Sequence, residues 1–161
     1  MHRVGQLVSH LTARVSPDEA ARARRILPAS AWSLFDAMPV ADRRHGLDVA
    51  RRLLEAGIDD GDVLGAALLH DAGKGRRLRL WHRIGGVLLA AVSPRLLQRL
   101  ADPDPASSGY PWYLFVHHEV LSARLAREAG LSERAAAFIR GESSPTDASL
   151  AAALGRADDA S

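Results

Sequence analysis

The sequence predicts an all-α fold, a compact bundle of helices in a single domain that spans 1–161. Three observations predict this fold. Apolar residues recur with the helical period, no segment alternates apolar and polar residues for long enough to form a strand, and capping residues or glycines separate the periodic segments. The 47% hydrophobic and 25% charged residues are close to the averages of globular proteins, which indicates a folded chain.

The boundaries of the predicted helices follow from residues that start or stop helices. Ser16 suits the cap of the first helix and Pro17 its first turn, and two acidic residues then favour the positive end of the helix dipole. Pro39 ends the second helix, Gly57 the third and Gly130 the seventh. The predicted helices cover 16–27, 29–38, 42–57, 59–71, 80–92, 94–101, 112–129, 132–140 and 146–159.

Composition and charge exclude several classes of site and partner. The chain has no cysteine, so any metal must be held by histidine, aspartate or glutamate. The net charge is only +2, and the one concentrated basic patch, 74–83, suits a small phosphorylated molecule rather than a long nucleic acid. The segment "MHRVGQLVSHLTARV" lacks the apolar core of a signal peptide, so a cytoplasmic location is expected.

The longest apolar run, 84–92, is about half the roughly 20 residues of a membrane span. Stable insertion into a membrane is therefore not expected. Since the run follows the basic patch, an interfacial helix over 74–92 that touches a membrane is an alternative to a buried helix.

Polar residues interrupt the apolar stripes of four predicted helices, namely His45, His70, His118 and Asp158. Each alone also fits a hydrogen-bonded core histidine or an exposed carboxylate. Several together are best explained by one shared site, because buried polar groups need partners. Imidazole and carboxylate without thiolate suit one divalent transition metal (Mn, Fe, Co, Ni or Zn). Asp71 joins His70 at such an ion only where the helix ends, which the following glycines permit.

The order His45, then "HD" at 70–71, then Asp158 in "LGRADDAS" resembles the HD superfamily of metal-dependent phosphohydrolases, with its H…HD…D motif. The resemblance covers 42–159 and implies an all-α fold on which helices of 1–40 pack. It also implies that His45, His70, Asp71 and Asp158 are the metal ligands. Asp159 is the alternative to Asp158, but the phase of the helix favours Asp158.

Two further motifs bear on the resemblance. The segment with His117 and His118 resembles the "HPEIGA" helix of HD proteins that carry extra histidines, but Gly141 and Glu142 stand where such proteins often have a histidine pair. One metal is therefore expected, and a second is left undecided. The tripeptide "GYP" at 109–111 precedes the double histidine, whereas it follows that motif in HD-GYP phosphodiesterases, so a turn that starts a helix explains it.

The resemblance implies hydrolysis of a phosphomonoester or small nucleotide by metal-activated water. It implies catalytic roles for Asp71, Lys74 and His118, and substrate binding by Lys74, Arg44, Arg77 and His117. Arg76 is another candidate for the phosphate, and Arg44 and Arg77 also fit solvated surface charges. A non-catalytic HD-like module that binds a nucleotide or regulates a partner is the alternative function, and cleavage of cyclic dinucleotides is a less favoured one. Whether the chain forms a homodimer is left open.

Overall fold

The computed structural model describes residues 14–161, and this part of the chain consists of helices and turns without a strand. The all-α prediction is confirmed, and each predicted helix boundary lies within two residues of the observed one. The predicted packing of 1–13 lies outside the described residues. The helices are α1 Pro17–Ile26, α2 Ala29–Ala37, α3 Val40–Glu55, α4 Gly61–Leu69, α5 Leu80–Val92, α6 Pro94–Leu100, α7 Tyr110–Glu128, α8 Glu133–Ile139 and α9 Ala148–Asp159.

Helix α4 forms the centre of the core. All seven of its residues from Val63 to Leu69 are buried, and α1, α3, α7, α8 and α9 pack around it. Helix α3 approaches α4 closely at Gly46, where a Cβ atom would lie 3.0 Å from the carbonyl oxygen of Leu68. This close approach brings His45, the residue before Gly46, to the end of α4, where His70 lies.

The N-terminal helices are attached to α3 by ion pairs. The Arg44 guanidinium lies 2.6 Å from Glu19 of α1 and 2.9 Å from Asp48 of α3. Ser16 and Glu19 form a capping box at the start of α1, as the sequence predicts for the Ser16 cap. Glu19 therefore serves two structures, the helix cap and the attachment of α1 to α3.

Glu19 should make the stability of the fold depend on pH. The backbone hydrogen bond at Ser16, followed by Arg44, lowers the pKa of Glu19 to about 2. A carboxylate with a lowered folded-state pKa stabilises the fold above its unfolded-state pKa and loses that contribution as the pH falls toward the folded-state value. We expect Glu19→Gln to cost about 1 kcal/mol at pH 7, and the difference from the wild type to vanish near pH 2.

Urea denaturation of both proteins between pH 7 and pH 2 measures this difference. Glu55→Gln is the matched control, because Glu55 forms an exposed pair with Arg51 and should cost less than about 0.5 kcal/mol. A constant difference for Glu19→Gln across this range would contradict the assignment.

No helix within residues 14–161 is both long enough and apolar enough to cross a membrane. The tripeptide at 109–111 begins α7, with Gly109 as the residue before the helix and Pro111 in its first turn. The interpretation of this tripeptide as the start of a helix is therefore confirmed.

Candidate metal centre

The "HD" pair lies where the helix ends. Helix α4 stops at Leu69, two residues earlier than predicted, and His70 is its last residue with helical dihedral angles (φ −58°, ψ −25°). Asp71 then turns the chain into a short 3₁₀ helix, Ala72–Lys74, which Gly75 ends with a φ of +58°. Because the chain leaves the helical path between the two residues, the side chains of His70 and Asp71 lie beside one another.

Three residues from distant parts of the chain form the centre of the site. His45 Nε2 lies 2.7 Å from Asp158 Oδ1, and His70 Nε2 lies 3.4 Å from the same oxygen. The ligand atoms of His45, His70 and Asp158 all lie within 4.8 Å of one another, and within residues 14–161 no other group of histidines and acids is arranged in this way. Asp159, the alternative ligand, is exposed. The structure thus brings α3, α4 and α9 together at the predicted residues.

A backbone hydrogen bond fixes the orientation of the His70 ring. His70 Nδ1 donates to the carbonyl oxygen of Ala67 at 2.9 Å. This bond leaves Nε2 as the ring atom that faces His45 and Asp158. Histidines that bind metals commonly donate their second ring nitrogen in this manner, which orients the ring.

Asp71 adjoins this triad and is engaged by Lys74. Asp71 Oδ1 lies 3.5 Å from His70 Nε2, and the carboxylate is only 3% exposed. Lys74 Nζ lies 2.6 Å from Oδ1 and 2.7 Å from Oδ2, but hydrogen-bond geometry is met only at Oδ2. Asp71 Oδ1 is buried next to the triad, and the Lys74 ammonium is its close partner. Two imidazoles and two carboxylates suit a divalent transition metal.

The charged side chains of the site shift one another's pKa values. Burial would lower the pKa of His70, but Asp71 and then Asp158 outweigh it and raise the pKa to about 9. Burial would raise the pKa of Asp158, but hydrogen bonds from His45 and His70 hold it well below its usual range. Burial would likewise raise the pKa of Asp71, but the charges of His70 and Lys74 hold it well below its usual range. Both carboxylates are therefore ionised at neutral pH.

Helix α7 closes the site on the side of the 3₁₀ turn. His118 Nδ1 donates to the carbonyl oxygen of Phe115 at 2.9 Å, so its Nε2 carries the lone pair. Burial lowers the pKa of His118, and the charge of Lys74 lowers it further. A neutral imidazole with a free Nε2 can accept a proton.

Gly73 allows the turn to pack tightly against α7. A Cβ atom at this position would lie 2.6 Å from the carbonyl oxygen of His118 and 2.7 Å from the backbone nitrogen of Ser122. The Gly73 N–H donates to Ser122 Oγ at 2.8 Å, and Ser122 is fully buried. The sequence indicates only that this glycine permits the helix to end, and the structure adds that its lack of a side chain allows the close packing.

Gly73→Ala should therefore destabilise the protein and displace the turn that carries Asp71 and Lys74. We expect a loss of about 2–3 kcal/mol in the free energy of unfolding, because both clashing atoms belong to backbone that cannot rotate away. Gly155→Ala is the matched control, since its Cβ would meet nothing within 4 Å in the middle of α9. That change should stabilise the protein by about 0.5–1 kcal/mol. Equal stability of the two variants in thermal denaturation would contradict the packing role of Gly73.

Several residues predicted to bind substrate have other partners in the structure. Arg44 is held by Glu19 and Asp48 and its side chain is only 17% exposed, so it is not a solvated surface charge. Arg77 is exposed, donates to the carbonyl oxygen of Pro105 and lies over the ring of Tyr110.

His117, also predicted to bind substrate, lines an open cavity of about 350 Å³ between α6 and α7 with residues that include Tyr113. Arg76 is exposed.

Gly141 and Glu142, which occupy the positions where the resemblance would place a histidine pair, are both exposed. Gly141 has a φ of +70° and follows α8. Glu142 is exposed and accepts a hydrogen bond from Arg140 Nε at 2.8 Å. Its carboxylate is thus engaged by an arginine at the surface rather than by the triad.

The sequence gives no signal for one buried ion pair near the site. Arg83 of α5 binds both oxygens of Asp42 in the first turn of α3, at 2.6 and 2.7 Å, and Asp42 is 1% exposed. Burial would lower the pKa of Arg83, but Asp42 outweighs it and raises the pKa, and the charge of Asp71 adds to this effect. Both residues look like ordinary surface charges in the sequence, because 40 residues separate them.

Comparison of the chain with family models, with curated proteins and with solved structures found no match.

Proposed function

We propose that this chain is a divalent-metal-dependent phosphohydrolase of the HD type, which cleaves a phosphomonoester or a small nucleotide in the cytoplasm. The observation that carries the proposal is the convergence of His45, His70 and Asp158 from three separate helices, with ligand atoms within 4.8 Å of one another. The H…HD…D order of the sequence and the buried carboxylate of the adjacent Asp71, 3.5 Å from His70 Nε2, support it.

The proposed ligands are His45, His70, Asp71 and Asp158. A divalent transition metal bound there would polarise a phosphoryl oxygen and lower the pKa of water. The orientation of the His70 ring by Ala67 favours this role, because it keeps Nε2 directed at the site. The position of Glu142 at the surface supports a single metal rather than a pair.

The remaining residues of the site have roles that follow from their chemistry. Water attacks phosphorus, the ester P–O bond breaks, and its electron pair leaves with the oxygen of the alcohol. His118 Nε2 accepts the proton of the attacking water, since burial and Lys74 keep this imidazole neutral. Lys74 holds the Asp71 carboxylate in place and offsets the negative charge that develops on the phosphoryl oxygens.

One observation favours a second candidate, a non-catalytic HD-like module that binds a nucleotide or a partner. Protonated His70 and Lys74 together match the charges of Asp71 and Asp158, so the network is electrically balanced by side chains alone. A balanced network of this kind can serve as a structural element of the fold. The two candidates differ in whether phosphate is released.

The test is release of inorganic phosphate from p-nitrophenyl phosphate and from a panel of mononucleotides, after metal removal and reloading with Mn²⁺, Co²⁺ or Zn²⁺. We expect turnover by the reloaded wild type and none by Asp71→Asn. Glu142→Gln is the control and should retain activity, because its carboxylate pairs with Arg140 at the surface. A wild-type protein that is inert with every metal, yet binds a nucleotide, would favour the second candidate.

A further inference from the structure

Charge is distributed unevenly along the chain. Between Asp71 and Asp102 there are seven basic residues and no acidic one, so 72–101 carries +7, while the other 14 basic and 19 acidic residues leave −5. Lys74 and Arg83 are paired with buried carboxylates. The other five are exposed, and none lies within salt-bridge distance of a carboxylate in residues 14–161. These five are Arg76, Arg77, Arg79, Arg95 and Arg99.

The same segment carries most of the exposed apolar side chains. Of the ten large exposed hydrophobic residues within residues 14–161, seven lie in α5 and α6. The α5–α6 surface is defined by these seven residues, Trp81, Ile84, Val87, Leu88, Val92, Leu96 and Leu100. On α5, most of them are spaced by three or four residues and so share one face of the helix. Leu88 is 60% exposed and Val92 84%, which is unusual for core-forming residue types.

Glycines on α5 determine that this face points outward. A Cβ atom at Gly86 would lie 2.7 Å from the ring of Phe115, and one at Gly85 would lie 3.0 Å from the ring of Trp112. Helix α5 therefore packs on α7 through these glycines and the buried His82, and its exposed apolar residues face away from the protein. Filling the inner face with larger side chains would separate α5 from α7, so the outward orientation is built into the packing.

We propose that the α5–α6 surface binds the surface of an anionic lipid bilayer, with α5 lying in the interface. Exposed apolar side chains beside unpaired arginines are the features of helices that bind membranes in this way. Trp81, 58% exposed at the start of α5, is a residue type that favours the membrane interface. A symmetric contact with a second copy would bring together two surfaces that each carry five exposed arginines, and their repulsion disfavours it.

The test is sedimentation of the full chain with vesicles of phosphatidylcholine alone or of phosphatidylcholine with phosphatidylglycerol at about 7:3. We expect at least tenfold stronger binding to the vesicles with phosphatidylglycerol, and weaker binding as salt is raised. Leu88→Glu should reduce binding at least tenfold. Removing two charges, Arg76→Gln with Arg79→Gln, should reduce it by roughly 25-fold, about fivefold for each arginine.

Val120→Glu is the matched control, because Val120 lies on α7 and is 59% exposed, almost the same as Leu88. It should bind vesicles as the wild type does, and circular dichroism should show both variants folded. Failure of the wild type to bind either vesicle would overturn the proposal, as would equal losses for the two variants. A dimer in analytical ultracentrifugation that Leu88→Glu dissociates, without vesicle binding, would assign the surface to a second copy instead.

Discussion

Asp158→Asn is expected to abolish phosphate release and to weaken Co²⁺ binding by at least about 100-fold, more than the loss typical of residues that only support a ligand. Asp158 Oδ1 is the one atom that both histidines of the triad face, at 2.7 and 3.4 Å. An asparagine at this position keeps the size of the side chain but removes the negative charge. The variant therefore tests the charge of the ligand rather than the packing of α9.

Asp159→Asn is the control for this prediction. Asp159 is the next residue of α9, is exposed, and differs from Asp158 only in the direction in which the helix presents it. Isothermal titration with Co²⁺ and a phosphate-release assay should find this variant close to the wild type. Equal losses in the two variants, or wild-type Co²⁺ affinity in Asp158→Asn, would mean that Asp158 is not a ligand.

Asp42→Asn is expected to have the largest effect on stability, a loss of about 3–5 kcal/mol. The carboxylate is buried and binds the Arg83 guanidinium through both oxygens, so its loss leaves a largely buried cation without a partner. Since small domains have a total stability of about 5–15 kcal/mol, the variant should be partly unfolded at moderate temperature. Urea denaturation followed by circular dichroism measures this loss.

Asp36→Asn serves as the matched control, because Asp36 pairs with Arg43 but is 59% exposed. Exposed pairs contribute little, so a change below about 0.5 kcal/mol is expected. A double variant, Asp42→Leu with Arg83→Met, should lose less than the sum of the two single changes, since it leaves no unpaired charge. A free energy of unfolding for Asp42→Asn within 1 kcal/mol of the wild type would show that the pair does not hold α5 on α3.

The elements of the fold could be predicted from the sequence because local features specify them. Apolar periodicity sets each helix, and residues such as Ser16 and Gly57 mark where helices start and stop. The end of α4 was predicted two residues too late, at 71 rather than 69. The helix ends at Leu69 because the 3₁₀ turn at 72–74 packs on α7, and that contact between distant segments leaves no periodic signal.

The candidate site was predictable to the extent that its residues share apolar helix faces. His45, His70 and Asp158 stand on such faces, and the structure brings them together. The partners of the charged residues were not predictable, since a sequence does not tell which carboxylate an arginine meets. Nothing in the sequence indicates that Arg44 joins α1 to α3 through Glu19, or that Lys74 pairs with the Asp71 carboxylate.

The stoichiometry of Co²⁺ in equilibrium dialysis tests the central claim most directly. The wild-type chain at pH 8 should bind one Co²⁺ ion, and a variant that combines His45→Gln, His70→Gln and Asp158→Asn should bind none while keeping its helical circular dichroism spectrum. One ion bound by both proteins, or none bound by the wild type, would contradict the assignment of this cluster as a metal centre.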